Sequence, residues 1–486
     1  MLARATTHAL VGLEPRRVEV EAHLQGNAPA FAIVGLADRA CQEAKERVRS
    51  GIKSAELEWP RRRIVVNLAP AGLKKEGSGF DLPIALTILA ASRQIPTDAL
   101  SGHAVFGELA LDGRLRPVGG VLAVAEGARR LGLDRILCPA ESSPEAALAG
   151  IEPVPVRHLA EAVSYLRGES SPPPYVRHEN GHRRRPPPPD LADVRGQERA
   201  RRALELAAAG RHNLLLAGPP GIGKTMLARR LPGILPKLAE EEALEVTRIH
   251  SVAGVLPPGG FLIETPPFRA PHHSASTAAI VGGGSGPRPG EASLAHHGVL
   301  LLDEFPEFQR PVLEALRQPL EDGTVTVARA AGHAIFPAKF QLVATMNLCP
   351  CGGRADPSAE CSCTIQQLVR FRSKLSHALL DRFDLVVTVP RPRAEQLAAS
   401  PAEPSSNVRA RVEEARALLE AGAAARTPEA NALLDRAVER LPLSGRGRAR
   451  VARVAATVGA LRGDATVGAE DVAEALSYRS PKELAP

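Results

Sequence analysis

Polar and apolar residues alternate along this chain with two periods, and the period switches several times. Arg16–Leu24 (RRVEVEAHL) alternates at every second residue, and Arg61–Pro70 (RRRIVVNLAP) carries a short β-branched run, so both predict strands. Between them, Asp38–Ala55 has the spacing of an amphipathic helix ending near Gly51. Asp81–Ser92 (DLPIALTILAAS) is apolar on all sides and predicts a helix buried all round. Ala104–Gly120 predicts a hairpin turning at Asp112-Gly113, a pair suited to a tight reverse turn, and Ala123–Ala140 predicts a helix and then a strand.

The pattern stops at Gly168–Asp190, GESSPPPYVRHENGHRRRPPPPD, which has no hydrophobic period and reads as an extended, partly polyproline linker. Beyond it, Glu198–Gly210 predicts a helix, and NLLLAG, GVLLLDE, FQLVATMN and DLVVTVP predict buried strands. Strands alternating with helices point to a parallel sheet covered on both faces. After Arg393 the strand signal fades, and Val408–Gly422, Gly447–Gly463 and Gly468–Arg479 read as helices. The expected organisation is an N-terminal α/β domain (1–168), a linker (169–189), an α/β core (190–392) and an all-α C-terminal domain (393–486).

Composition narrows the class. A chain of 486 residues exceeds one hydrophobic core, and 44% hydrophobic with 24% charged residues is ordinary for a soluble globular protein. No run of eighteen apolar residues and no secretory leader is evident, so a cytoplasmic location without membrane contact is expected. The net charge of +7 fits an anionic partner such as nucleic acid. Aromatic residues make up only 3%, so contacts to backbone phosphate rather than base stacking would carry such binding.

The segment Gly218-Pro219-Pro220-Gly221-Ile222-Gly223-Lys224-Thr225 matches the phosphate-loop pattern, and it follows an apolar strand and opens a helix, MLARRLPGIL. Glycines let backbone N–H groups turn toward phosphate oxygens, and the helix N-terminus adds a favourable dipole. Lys224 is expected to reach the β- and γ-phosphates of ATP, and the Thr225 hydroxyl to hold Mg²⁺. Val299–Leu302 then buries a strand that ends in Asp303-Glu304, where Asp303 suits Mg²⁺ and Glu304 the attacking water. Asn347 ends a third strand where a polar side chain can position that water. Arg382, in LLDRFD, is placed to neutralise phosphoryl charge if presented to a neighbouring subunit.

Taken in order, GPPGIGKT, FRAPHHSAS, GGGSGPRPGEASLAHHGVLLLDE, ATMNLCPCG and LLDRFDL resemble the magnesium-chelatase-like AAA+ ATPases, and within them the ComM/YifB family. The resemblance implies a homo-hexameric ring hydrolysing ATP between subunits. It further implies a helicase that translocates on single-stranded or branched DNA, driving branch migration in natural transformation beside other recombination proteins. It gives Asn347 the sensor-1 role, Arg382 the arginine finger and Arg446 sensor 2, with Arg448 or Arg450 as alternatives. Thr324–Arg329 and His333–Phe336 fit the family's hairpin, with Arg329 and His333 near a tip that could touch DNA phosphate. His272-His273 and His296-His297 are open to metal, loop or packing roles. The competing reading is a protein-remodelling or metal-chelatase-type motor acting with partner subunits.

The N-terminal domain resembles the proteolytic domain of Lon, which implies a fold like ribosomal protein S5 domain 2. Lon uses a Ser–Lys dyad; here Gly79 and Val124 stand at those positions with Ser78 adjacent, so peptidase activity is not expected. Retention for subunit contacts or for DNA binding are both open. Cys41 and Cys138 stand alone among apolar neighbours. Cys349, Cys351, Cys361 and Cys363 cluster, and structural Zn²⁺, free thiols or a redox-sensitive loop are the open alternatives.

Overall fold

The computed structural model describes residues 1–479 apart from 27, 174, 176–187, 258, 260, 285–286, 330–331, 355, 357, 399, 423 and 442; at 328, 329, 332, 333 and 377 it describes the backbone alone. Most of the predicted linker therefore lies outside the described residues. Among the described residues, no helix is long and apolar enough to cross a membrane.

The N-terminal part is built on a seven-stranded sheet in the order Ala30–Val34, Arg63–Ala69, Glu14–Gln25, Leu2–Val11, His103–Val105, Arg135–Pro139, Glu152–Val156. Its first two strands in sequence, Leu2–Val11 and Glu14–Gln25, form an antiparallel hairpin paired from Leu2↔His23 to Val11↔Glu14. The helix Asp81–Ala91 is buried at every position, as its all-round apolar sequence requires. It lies between that hairpin and the helix Arg39–Ser54, so neither of its faces meets water. The latter helix does not stop near Gly51 but continues to Ser54. Gly51 is buried inside it, where a Cβ would meet the Ala110 carbonyl oxygen at about ordinary contact distance, 3.4 Å. The Asp112-Gly113 turn joins Glu108–Leu109 to Leu115–Arg116 in the predicted hairpin.

The second sheet has five parallel strands in the order Phe268–Arg269, Val299–Leu302, Gln341–Met346, Leu214–Ala217, Leu385–Thr388. Four of them are the predicted runs; Phe268–Arg269, with only two residues, is too short to show a period. Alternate residues along each buried strand feed two different cores. Leu214 and Leu216 join the helix Glu198–Gly210 and the C-terminal helices, whereas Leu215 and Ala217 face the segment from Ile280 to Leu316.

The C-terminal region comprises Ser405–Glu420, Pro428–Arg440, Gly445–Leu461 and Ala469–Ser477, all helices. It is not purely helical, because Ala425–Arg426 and Thr466–Val467 form a short parallel pair. The region shares one continuous core with the sheet, through residues such as Leu434, Val454 and Tyr478. Each large apolar side chain buried there stabilises the union by about 1.5–3 kcal/mol.

The N-terminal part docks on the second sheet through the helix Val121–Arg130, which packs against Glu240–Val252. Glu145, buried, accepts from Leu122 N at 2.9 Å and from the Ser251 hydroxyl, and Gly120 N donates to Ser251 Oγ at 3.0 Å. Arg248 lies 3.3 Å from Glu126 at the edge of the same contact. The predicted hairpin Thr324–Arg329/Gly332–Pro337 also forms, antiparallel, paired from Thr324↔Pro337 to Arg329↔Gly332. Its base is anchored: Val325, Val327, Ala334 and Phe336 are buried, and Gly12 of the N-terminal hairpin approaches Ala334 so closely that a Cβ would meet it at 2.9 Å. The side chains of Arg329 and His333 lie outside the described residues.

Candidate nucleotide-binding site

Because the five strands are parallel and in register, their C-terminal ends line one edge. Ala217 pairs with Met346 and Leu302 with Ala344, so Gly218 emerges beside Asn347, and Asp303 beside Thr345. Open α/β sheets bind ligands at this edge, beyond the carboxyl ends of the strands.

Three glycines shape the loop above it. A Cβ on Gly218 would lie 2.4 Å from the Val389 carbonyl oxygen, so the backbone can pass only as glycine. Gly221 (φ 75°) and Gly223 (φ 92°) take the left-handed conformation that turns N–H groups inward, and around Gly221 the space is open. The helix begins at Lys224 but ends at Ala228, and a second short helix, Leu231–Ile234, follows with Pro232 at its start. The single helix read from MLARRLPGIL is thus two pieces, since a proline cannot donate its missing N–H within a continuous helix.

Lys224 is buried, and its ammonium donates to Gly218 O at 2.8 Å, Pro219 O at 2.7 Å and Asn347 Oδ1 at 3.0 Å. All three of its protons are therefore engaged. Burial lowers its proton affinity while the Asp303 and Glu304 carboxylates raise it, and burial prevails. A phosphate at this loop would exchange neutral carbonyls for charged oxygens around the same ammonium, a stronger set of partners.

Asp303 Oδ1 accepts from Thr225 Oγ1 at 2.8 Å and from Thr345 Oγ1 at 2.5 Å. Hydroxyl and carboxylate oxygens converging beside a phosphate loop are the hard donor set that suits Mg²⁺. Thr345 also accepts from the Glu304 backbone N–H at 3.1 Å, so one hydroxyl ties both acidic residues together. The motifs of the sequence single out Asn347 on this strand and not Thr345, whose place beside Asp303 comes from the pairing of the two strands. Glu304 itself has φ 55°, a left-handed conformation that a β-carbon disfavours by about 1–3 kcal/mol. Its carboxylate is largely exposed at this edge, with His273 Nδ1 3.6 Å away.

Arg382 and Arg446 are elsewhere. Arg382 precedes the strand Leu385–Thr388 and so stands at the opposite, N-terminal edge of the sheet, about 13 Å of strand away from the phosphate loop. It is buried and paired with Glu321, and Arg446 reaches the same carboxylate at 3.5 Å. Burial, then the cations Arg450, Arg446 and Arg317, lower the proton affinity of Arg382. Arg450 is held by Asp381 (3.1 Å) and Asp384 (3.7 Å), whereas Arg448 pairs with Asp435 at 2.7 Å. Arg382, Arg450 and Arg453 line a cleft of about 420 Å³ with Glu321 and Asp384.

The histidine pairs divide. His272 Nδ1 lies 2.8 Å from the Ser274 hydroxyl, a local loop contact. His296 is buried; its Nδ1 accepts from Lys339 N at 3.0 Å, which puts the neutral ring's proton on Nε2, 3.0 Å from Glu245. Burial lowers its pKa to about 4. A cation beside Glu245, His296 and His297 would have to displace that Nε2 proton, so this triad reads as a packing cluster.

In the N-terminal part, a Cβ on Gly79, in the turn before the helix Asp81–Ala91, would lie 2.3 Å from the Phe106 ring. Val124 is buried in the same apolar cluster as Phe106, and the Ser78 hydroxyl donates to Glu108. Lys75, also buried, is committed to the carbonyls of Gly35 (2.9 Å) and Pro70.

The chain is similar to known proteins over most of its length. Residues 190–397 match the model for magnesium chelatase, subunit ChlI; residues 20–142 match subunit ChlI of Mg-chelatase; and 419–479 match the C-terminal part of that subunit. The chain is 40% identical to the competence protein ComM of Haemophilus influenzae, over 99% of this chain and 98% of that one. It is 43% identical to YifB of Escherichia coli, over 84% of this chain and 80% of the relative. A stretch of 149 residues is 29% identical to Lon protease of Mycolicibacterium smegmatis.

Proposed function

This chain belongs to the magnesium-chelatase-like ComM/YifB family, and from that premise we propose that it is a ring-forming AAA+ ATPase, with homo-hexamers as the working form, that couples ATP hydrolysis to movement on DNA. The observation that carries the ring is the separation of charges. Lys224, Asp303, Glu304 and Asn347 share one edge of the sheet, while Arg382 and Arg446 share the other. Neither Arg382 nor Arg446 therefore reaches the phosphate loop of its own subunit, and a neighbouring copy is the natural source.

In this reading Lys224 and the loop N–H groups hold the triphosphate. Mg²⁺, held by Thr225 and Asp303, supplies positive charge to the phosphates. Glu304 polarises the attacking water and Asn347 orients it, while the neighbour's Arg382 meets charge developing on the transferred phosphoryl group. Arg382 must first exchange Glu321 for that phosphoryl group, and Arg446, on the same carboxylate, moves with it. The hairpin Thr324–Arg329/Gly332–Pro337 begins three residues after Glu321, so a DNA contact at its tip has a short route to the finger. Architecturally, the N-terminal α/β unit is read as Lon-like in fold, the five-stranded unit as the AAA+ core and the C-terminal helices as its lid. Branch migration of incoming DNA is the activity this reading favours, by likeness to ComM.

Two measurements test it. Mixing inactive Lys224→Ala with inactive Arg382→Ala should restore turnover, because each supplies the half that the other lacks; a mixture as dead as its components would overturn shared sites. Single-stranded or three-strand branched DNA should stimulate ATP turnover. Turnover indifferent to every DNA would favour the second reading, a chelatase-type or protein-remodelling motor, for which the matched subunit model is the supporting observation.

A further inference from the structure

Between Asn347 and the helix Ile365–Ser373, the chain gathers four thiols around one point. Cys349 Sγ lies 3.4 Å from Cys351 Sγ and 3.7 Å from Cys361 Sγ, and Cys351 to Cys361 is 3.7 Å. With Cys363, all four sulfurs fall within 4.8 Å of one another. A tetrahedral ion with Zn–S bonds of about 2.3 Å needs sulfurs about 3.8 Å apart. A disulfide needs about 2.05 Å. The separations here match the edges of a coordination tetrahedron.

The backbone makes the same point independently. Cys351 N donates to Cys363 Sγ at 3.4 Å, Gly353 N to Cys351 Sγ at 3.4 Å and Arg354 N to Cys349 Sγ at 3.3 Å. N–H groups aimed at sulfur stabilise thiolate over thiol, and orient the remaining lone pairs inward. Gly353 must be glycine for the loop to close, since a Cβ there would come within 2.8 Å of the Glu360 carbonyl oxygen. Hydrophobic packing does not account for the cluster, because Cys351 and Cys361 are exposed.

We propose that Cys349, Cys351, Cys361 and Cys363 form a structural site for a zinc ion, and that the loaded site braces the nucleotide pocket. The site deprotonates its thiols on loading and releases those protons to water. Four protein sulfurs leave no open position, so the ion binds no substrate. Its reach into the pocket is short. Cys349 stands two residues after Asn347, the partner of Lys224, and Gly352 packs on the phosphate loop so closely that a Cβ would lie 2.6 Å from Pro220. On the far side, Cys363 leads into Thr364, whose hydroxyl accepts from Gln367 N at 3.3 Å and starts the helix Ile365–Ser373. The metal thus ties the end of the strand Gln341–Met346, the phosphate loop and that helix into one rigid corner. The bracing half of the inference rests on the reading of Gly218–Thr225 as the ATP site.

Metal analysis of the full chain, purified from zinc-replete cells, should give about one zinc per chain. Co²⁺ replacing it should develop the visible absorption of tetrahedral thiolate cobalt. Cys351→Ser and Cys361→Ser should each lose the metal, while Cys138→Ser, at a buried thiol elsewhere, should keep it. Metal release by a thiol-reactive mercurial, reversed by thiol and zinc, should weaken binding of a fluorescent ATP analogue at least tenfold and restore it on reloading; this measurement does not depend on any variant folding. Protein that holds no zinc and takes up no cobalt overturns the site. Zinc-free protein that binds nucleotide as tightly as the loaded form overturns the bracing. Zinc-loaded protein that never binds nucleotide leaves the metal site standing and overturns the ATP reading.

Discussion

Two glycines, Gly79 in the turn before the helix Asp81–Ala91 and Gly221 in the phosphate loop, lack a side chain for opposite reasons. At Gly79 the missing Cβ makes room for the protein's own Phe106 ring, 2.3 Å from where that atom would lie. At Gly221 the missing Cβ faces open space, and the left-handed backbone is what glycine supplies. The first position is where the Lon resemblance puts a nucleophile, and the chain has filled it with core. The second is where the ATPase resemblance puts a phosphate, and the chain has kept it clear. The same residue type is thus neutral about function until its surroundings are known. The helix that carries Val124 packs against Glu240–Val252 of the second unit.

Replacing Lys224 attacks the open site directly and should have the largest effect. Lys224→Ala is expected to abolish ATP binding and turnover. Glu304→Gln should bind ATP normally and lose turnover by a factor on the order of 10² or more. A fluorescent-nucleotide titration beside a phosphate-release assay separates the two, and normal turnover in Glu304→Gln would remove it from the chemistry. Next comes Arg382→Ala, expected to lower turnover about 10³-fold while leaving nucleotide affinity nearly unchanged, since the arginine serves another subunit. A matching loss of affinity would mean that it acts on its own chain.

The glycine pair itself sharpens the contrast. Gly79→Ser should destabilise the N-terminal unit by about 1–3 kcal/mol through overpacking against Phe106, with no gain of peptidase activity. Gly221→Val should strain the left-handed loop backbone by about 1–3 kcal/mol, without overpacking any core, and weaken ATP binding. Calorimetry with nucleotide titration on both variants checks this; a stable Gly79→Ser protein would mean that Phe106 yields easily.

Acid should also separate the two units. In the nucleotide unit, burial depresses both His212 and His296 to about 4. Their folded pKa values lie below the unfolded value of about 6.5, so the stability they contribute is full above that pH and is lost as pH falls toward 4. At pH 5 the loss is roughly 2 kcal/mol for each. In the N-terminal unit, burial likewise depresses His8 to about 4, but burial raises Asp81 to about 6 despite its Arg47 partner. A carboxylate raised in this way gains stability on acidification, offsetting His8. Rate-corrected hydrogen exchange should therefore show the strand Gln341–Met346 losing protection between pH 7 and pH 5 before Glu14–Gln25 does. Parallel loss in both would mean that the histidines do not dominate.

The residues differed in how openly they announced themselves. The phosphate loop and Asp303-Glu304 were legible because each motif sits at the end of an apolar run long enough to be read as a strand, and a parallel sheet then carries all such ends to one edge. The helix Glu198–Gly210 and the Asp112-Gly113 turn were legible for the same local reason. Thr345 was not, because its role comes from register with Asp303 on a neighbouring strand, and spacing along one chain carries no register. Gly51 misled for a related cause: glycine often follows the last turn of a helix but also occurs inside one, and the packing that carries this helix on to Ser54 is tertiary.

The order of motifs, the periods of burial and the chemistry of Lys224, Asp303, Glu304 and the four clustered thiols are properties of the sequence alone, since each depends on residue type and short spacing. Which edge of the sheet holds Arg382, what fills the space above Gly79, and how near the thiols stand to one another were decided by tertiary structure. Those are distances between segments far apart in the chain, set by how several buried faces pack at once, and no local pattern encodes them.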